Sequence, residues 1–540
     1  MNKKIIIFSI FAALLPFIIF HYFDVLTYMH STWDDFTLRF ILSGEDKMGG
    51  PFIFTGSDFM IHHFEIIINH LYRFNKNFYW FDLIISLPIF VFGYLITKKA
   101  IKLEQFKNKF SLICFFYIFL YYIYISCNLH YSLSAIVAGF IGFDFIRGID
   151  QPDNQVKYQW NYLSLFLMGI TIVIGFCTRY EFFILGFAMA TYLEIISFKF
   201  KIKKIFNIRI VIFIPCLIFL MLHFKNAIWY NLSSDVNQKR LGSMSLNELS
   251  RFDSQKFWLE SPLIKDEKIK SNYQLISKYI YFLDDQQLDK HFLDKILNET
   301  KKFPEKTIDR LKNIFHYRLS MTHKSIIIFI FLLSLFYFEK KQILYFNLKY
   351  IFSYFSFILF IEFMLKTMIE RHILGFNLGF ISFLYFLPKN SSPKSDWKKS
   401  YLIPGALIFV ILYQSNKFYR LQSIKITDQQ SKMPFLKNEI YLTDQNFPYH
   451  VMIKPFNLFN QNGPLPVPIN WSFFHGNIYQ FLISWGLDKE LKSNLINGKI
   501  KLIMDKEKID LIKQYLLIEY NNLKIIDHSQ KNFPIYQFQN

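Results

Sequence analysis

Little in this chain can be cross-linked, and little breaks its long apolar runs. Only four cysteines occur in 540 residues, and Cys114, Cys127, Cys177 and Cys216 all lie within or at the edges of apolar blocks. None has metal-ligand spacing, and no disulfide framework is implied. Glycine and proline number 19 and 17, without the Gly/Pro-broken spans or paired half-repeats that a secondary transporter would show. Nucleophile-elbow, zinc-protease, Walker A and dinucleotide-binding fingerprints are absent in any supporting context. No small-residue cleavage site follows the apolar run at 3–22, where Phe20, His21, Tyr22 and Phe23 stand. That run therefore reads as a retained first span rather than a removed signal.

What is present is apolar and aromatic. Hydrophobic residues make up 52% of the chain and aromatics 20%, with 66 Phe and 33 Tyr. They fall in blocks of roughly 16–20 residues, the length that crosses a hydrocarbon core. Ile, Lys and Asn recur throughout, as in an AT-rich bacterial genome, so single Lys or Asn residues carry little information.

The net charge of +20 is placed between apolar blocks, not along a stripe. Clusters stand at Lys3–Lys4, Lys98–Lys99 with Lys107 and Lys109, Lys199–Lys204, Lys340–Lys341 and Lys394–Lys399. No recognition motif accompanies them, so nucleic acid is not an expected partner. Spans drawn at 4–22, 79–97, 110–127, 130–146, 160–177, 181–197, 209–225, 324–338, 348–367, 371–387 and 401–415 put these clusters on one side. That is the positive-inside pattern. It implies an α-helical polytopic membrane protein of about eleven spans, with its N-terminus inside. The inside loops are 98–109, 147–159, 198–208, 339–347 and 388–400. The block 130–146 is the weakest span, because Asp144 and Arg147 sit near its inner end.

Three segments then fall outside. The first outer loop, 23–78, has helical apolar spacing at 34–43 and 57–73, as expected of helices on the membrane surface. The second, 226–323, is charged and without repeats. The tail, 416–540, is long enough for a soluble α/β domain, beyond a membrane domain of 1–415. Glu439–Leu442, Lys499–Met504 and Leu523–Ile526 read as strands, and Asn477–Trp485 and Lys506–Leu517 as helices. Pro464, Pro466 and Pro468 mark a loop that continues neither element.

The candidate chemistry gathers where chain meets membrane on the outer side. Asp34 and Asp35 follow the first span; adjacent carboxylates serve as a general base or hold a cation that steadies phosphate. The plainer reading is a helix start capped by Thr32 with Asp35 in its first turn. Asp58 and His62 stand one helical turn apart, with His63 and Glu65 beyond them, so a metal pair is geometrically open. Arg179 and Glu181 lie at an outer turn, where Arg can grip a phosphate bidentately or simply pair with the Glu. Glu370, Arg371 and His372 occupy another outer turn and carry the same two readings. His475, after Trp471, precedes a helix start that could take an anion or merely pack the domain.

Together these features resemble bacterial membrane glycosyltransferases of the GT-C fold, in the cell-envelope group. The resemblance is carried by Trp33, Asp34 and Asp35 through Ser43 and Gly44, by Phe64–Tyr72 and Asn77–Phe81, and by Trp471 to Gly486 in the tail. It implies a polyprenyl-phosphate sugar as donor, a glycan or glycolipid acceptor of lipopolysaccharide or O-antigen type, and the bilayer as third partner. It further implies Asp34 or Asp35 as catalytic base and inversion at the anomeric carbon. Arg179 and Arg371 suit the donor phosphate by placement, with Glu181, Glu370, His372, His62 and His63 in support. The one cofactor left open is a divalent cation, Mg or Mn, with Asp35, Asp58 and His62 as candidate ligands. The expected location is the bacterial inner membrane, with the tail on the periplasmic or extracellular side. Alternatives are a transporter or flippase of lipid-linked saccharides, or a non-catalytic envelope assembly protein. A transferase of phosphoethanolamine or acyl groups would need a Ser, Thr or His-centred site that the sequence does not display. The triplets at Asn231, Asn298 and Asn470 are expected by chance in an Asn-rich chain and do not argue for a eukaryotic mannosyltransferase.

Overall fold

The computed structural model describes residues 3–22, 29–30, 39, 42, 60–75, 77–102, 109–147, 162–197, 213–229, 267, 270–271, 274–275, 326–330, 340–365, 370–386, 439–443, 467–468, 491–529 and 534–539. The N-terminal part is helical. It comprises α1 (Lys3–Tyr22), α2 (His62–Phe74), α3 (Trp80–Lys102), α4 (Lys109–Ser126), α5 (Tyr131–Arg147), α6 (Tyr162–Thr178), α7 (Tyr180–Ser197), α8 (Phe213–Trp229), α9 (Lys340–Leu365) and α10 (Glu370–Tyr385). Two short strands, β1 (Met29–His30) and β2 (Asn128–Leu129), pair in parallel.

The helices share one apolar core and alternate in direction. Near Lys99, at the C-terminal end of α3, lies Asp144, at the C-terminal end of α5. Lys98 bonds Ser164, near the start of α6. At the same end Ser111 meets Tyr385 at 2.9 Å and Ser197 meets Tyr350 at 2.9 Å. The opposite end gathers β1 and β2, the start of α5, the α6–α7 turn and the start of α10. Lys98 and Lys99 thus lie at the end of the bundle away from the α6–α7 turn.

The span expectation needs correction. Among the described residues two helices, Trp80–Lys102 and Tyr180–Ser197, are long and apolar enough to cross a membrane, not the eleven that the apolar blocks predict; the other apolar stretches, several of them parts of longer helices, run for 10–17 residues. The block 401–415 lies outside the described residues, and only 326–330 of the block 324–338 is described. The basic loop drawn at 339–347 is helical from Lys340 onward, since no breaker precedes Leu348.

The block 130–146, read as the weakest span, is instead the centre of the bundle. α5 packs against α3, α6, α7 and α10, and nearly all of its residues are buried. Its small residues let neighbours approach. A Cβ on Gly139 would lie 2.3 Å from the Phe183 carbonyl oxygen, and one on Gly186 would lie 2.3 Å from that of Ile136. α5 and α7 therefore meet backbone to backbone. Outside this core the bundle stays apolar: Phe166 is 64% exposed, Met221 69% and Phe352 74%.

The first-loop helix also differs from expectation. The face that α2 turns inward carries Phe64, Glu65, Ile68, Asn69 and Tyr72, whereas Ile67 and His70 are exposed. An apolar stripe wider than one face made the orientation ambiguous, and docking rather than surface lying resolves it.

The tail contains a second core built on a five-stranded mixed sheet of order β4-β3-β5-β7-β6. Its strands are β3 (Ile440–Thr443), β4 (Val467–Pro468), β5 (Ile500–Ile503), β6 (Lys524–Asp527) and β7 (Ile535–Gln539), with helices α11 (Leu491–Ile496) and α12 (Lys506–Leu517). β4, β3 and β5 are parallel; β7 is antiparallel to both β5 and β6. The expected strands and the helix 506–517 are present, while the helix expected at 477–485 lies outside the described residues. The Pro-rich segment does yield a strand. Val467 and Pro468 form β4 at the sheet edge, where a missing N–H breaks no ladder. Ile509, Ile512 and Leu516 of α12 bury against Leu442, Leu502 and Phe538. Leu275, from the segment 226–323, is fully buried in this core.

Candidate functional site

Four anchors organise the end of the bundle that carries the α6–α7 turn. Met29 and His30 align with Asn128 and Leu129, tying the exit of α1 to the α4–α5 turn. The Ile61 N–H donates to the Cys177 carbonyl at 3.0 Å, seating the start of α2 on the end of α6. Arg39 Nη1 donates to Asp82 Oδ2 at 2.9 Å, with both side chains essentially out of solvent. Tyr72 accepts the Phe81 N–H at 3.0 Å, holding α2 to the first turn of α3.

Arg179 is the single residue between α6 and α7. Its N–H donates to the Gly175 carbonyl at 3.2 Å and its own carbonyl accepts from Phe183 at 3.1 Å, so the turn is continuous with both helices. Its guanidinium lies 5.8 Å from the Tyr131 ring centre and 5.6 Å from that of Phe182. Two aromatic faces thus flank the cation. Arg179 Nε is 3.5 Å from Glu181 Oε2, with side-chain exposures of 18% and 36%. The two facing atoms, Nε and Oε2, are themselves buried, and the exposed part of each side chain lies beyond them.

His372, in the first turn of α10, is buried. Its ring centre is 4.1 Å from that of Phe182 and 6.1 Å, edge-on, from His130. His130 stacks on Tyr131 at 4.6 Å and accepts the Ser132 N–H at Nδ1, 3.0 Å away. That bond leaves the proton of the neutral ring on Nε2. Arg179 and His372 are therefore joined through Phe182, and His130 and Arg179 through Tyr131. The cluster contains a cation, two imidazoles and an aromatic wall, a composition that can take an anionic group beside an apolar one.

Of the residues expected from sequence, Arg179, Glu181 and His372 come together here. Arg371 and Glu370 begin the same helix as His372. His62 opens α2, and His63 follows it half-buried. Asp34, Asp35, Asp58 and His475 lie outside the described residues. Among the described residues no group of three His, Cys, Asp or Glu could hold a metal ion. Sequence reasoning missed His130, Tyr131, Phe182, Arg39 and Asp82. A signal existed for Asp82, a carboxylate in the first turn of a long apolar helix. A span drawn at 130–146 gives His130 and Tyr131 no role of their own, and no spacing links them to residue 372.

No family model, curated protein or solved structure matches this chain.

Proposed function

We propose that this chain is an integral membrane glycosyltransferase. It would move a sugar from a polyprenyl-phosphate donor to a cell-envelope glycan or glycolipid at the end of the bundle that bears Arg179. Membrane embedding is supported by large apolar side chains exposed on several helices, such as Phe11 on α1, Phe166 on α6, Met221 on α8 and Phe352 on α9. An exposed apolar surface on this scale is uncommon on a soluble monomer, and helices apolar all round belong in a core or a bilayer. The bundle is then read with its basic end in the cytoplasm.

The observation that carries the reading is the setting of Arg179: a partly exposed guanidinium between two aromatic rings, beside two histidines, at the end away from the basic loops. The donor phosphate is assigned to it, with the polyprenyl chain running along the apolar helices. His30, through β1, and Arg39, through Asp82, are both anchored at this end, and Asp34 and Asp35 lie between them in the sequence. One of these carboxylates takes the proton of the acceptor hydroxyl as that oxygen bonds to the anomeric carbon. The carbon–oxygen bond to the lipid phosphate breaks on the opposite face, and polyprenyl phosphate leaves. Proximity and a positioned base supply the rate. The motif resemblance to GT-C enzymes and the setting of Arg179 support the reading together.

The test is Arg179→Gln in protein reconstituted with a synthetic polyprenyl-phosphate sugar. Losing a charge-assisted contact costs about 1.5–3 kcal/mol, so kcat/KM should fall about 10- to 100-fold. Unchanged kcat/KM in a correctly inserted variant rejects the assignment.

A further inference from the structure

A second polar feature lies at the opposite, basic end. Phe92 and Lys99 of α3, Phe140 and Asp144 of α5, and Ser382 and Phe383 of α10 line a cavity of about 50 Å³. Lys99 Nζ is 3.6 Å from Asp144 Oδ2 and 4.4 Å from the centre of the Phe386 ring. Ser382 is 5% exposed, and its Oγ has no hydrogen-bond partner among the described residues. A buried hydroxyl in that state calls for an explanation. An acceptor brought by a ligand supplies one.

We infer that this cavity binds the headgroup of an aminophospholipid, a phosphoethanolamine lipid of the cytoplasmic leaflet. A purely anionic ligand would meet Asp144, and a purely cationic one would meet Lys99. A zwitterion satisfies both, with its ammonium on the carboxylate and its phosphate on the lysine. At roughly 10–15 Å³ per water-sized centre, the cavity takes a group of about four heavy atoms, the size of an ethanolamine arm. A trimethylated choline is larger and has no N–H to donate. The Ser382 hydroxyl donates to a headgroup oxygen, and Phe92, Phe140 and Phe383 border the start of an acyl chain. Basic pockets between helices on the cytoplasmic side are known to take lipid headgroups; here the carboxylate narrows the choice. The inference rests on the membrane reading and is independent of glycosyl transfer.

The experiment is native mass spectrometry of the full-length detergent-purified protein. It is offered short-chain phosphatidylethanolamine, phosphatidylcholine and phosphatidylglycerol in turn, and free O-phosphoethanolamine. Phosphatidylethanolamine should be retained about fivefold better than the other two lipids, the effect of about one interfacial charge contact. Asp144→Asn should abolish that preference. Ser382→Ala, nearly isosteric and so a check should Asp144→Asn not fold, should reduce phosphatidylethanolamine retention. Equal retention of the three lipids, or a preference untouched by both variants, overturns the proposal. Free O-phosphoethanolamine binding as tightly as the lipid would overturn the lipid as occupant. Retention in membranes after an alkaline wash is scored on the same preparation. Lost lipid preference with intact membrane retention then counts against this site alone.

Discussion

Arg39 and Asp82 form an ion pair of 2.9 Å in which neither side chain reaches solvent. It joins the first loop to the first turn of α3 across 43 residues of sequence. Removing one partner strands a buried charge, at a cost of about 3–5 kcal/mol. Arg39→Ala or Asp82→Ala should therefore lower the thermal midpoint of the detergent-solubilised protein sharply. Arg39→Met combined with Asp82→Leu should recover most of the loss. Single variants as stable as wild type would show that the pair is dispensable.

The backbone approach of α5 to α7 gives a second prediction. Gly186→Ala places a methyl against the Ile136 carbonyl, at 2.3 Å before relaxation, and the two helices must separate. Overpacking of this kind costs about 1–3 kcal/mol. The melting midpoint and the yield of monodisperse protein should both fall. Ala188→Gly, in the same helix, should cost less, since it removes volume where no such approach is recorded.

How far the fold could be read from sequence differs between its two cores. In the tail, Lys506–Leu517 is the helix expected, because its apolar residues recur at helical spacing and Asp505 and Lys506 mark its start. The strand β7 was missed, because Ile535–Gln539 alternates only weakly and sits at the chain end. In the bundle, element positions followed from apolar blocks, but centrality did not. Asp144 and Arg147 near its inner end make 130–146 read as the weakest span, and they hide the Gly, Ala and Ser residues that let α5 pack at the middle. Arg179 and His372 were legible singly as charged or polar groups at apolar boundaries. Their meeting through Phe182 was not, since helix order along the chain does not say which turns become neighbours.

Gly498 supplies a third test. Its φ of +68° follows α11, where Lys499 N–H reaches the Asn494 carbonyl and Gly498 N–H that of Leu495, 3.0 and 3.1 Å away. This is a Schellman closure. Gly498→Ala should cost about 1–2 kcal/mol from the left-handed backbone alone. It also crowds Gln537 Nε2, 2.9 Å from the new methyl. Faster amide exchange across α11 and β5 in the full-length protein is the expected readout.

Acid should loosen the same sheet. Burial alone would raise the Glu439 carboxyl, but hydrogen bonds from Lys501 and Tyr441, with the nearby charges of Lys501 and His528, leave it below its ordinary value of 4.5. A carboxylate lowered by folding stabilises the folded state fully above that ordinary value, and its contribution is lost as pH falls through the lower folded value. Protection of the β3 and β5 amides, taken relative to intrinsic exchange at each pH, should fall below about pH 4.5 in wild type. In Glu439→Gln that acid-dependent component should be smaller.

The most direct test of the transferase reading is sugar transfer by the reconstituted protein carrying Asp34→Asn or Asp35→Asn, paired with envelope glycan profiles of cells bearing each variant. Losing a general base lowers turnover by about 10²- to 10⁴-fold. One of the two variants should show that loss while inserting normally. If both insert normally, turn over donor at the wild-type rate and leave the glycans unchanged, the first loop holds no catalytic base and the proposed chemistry is wrong.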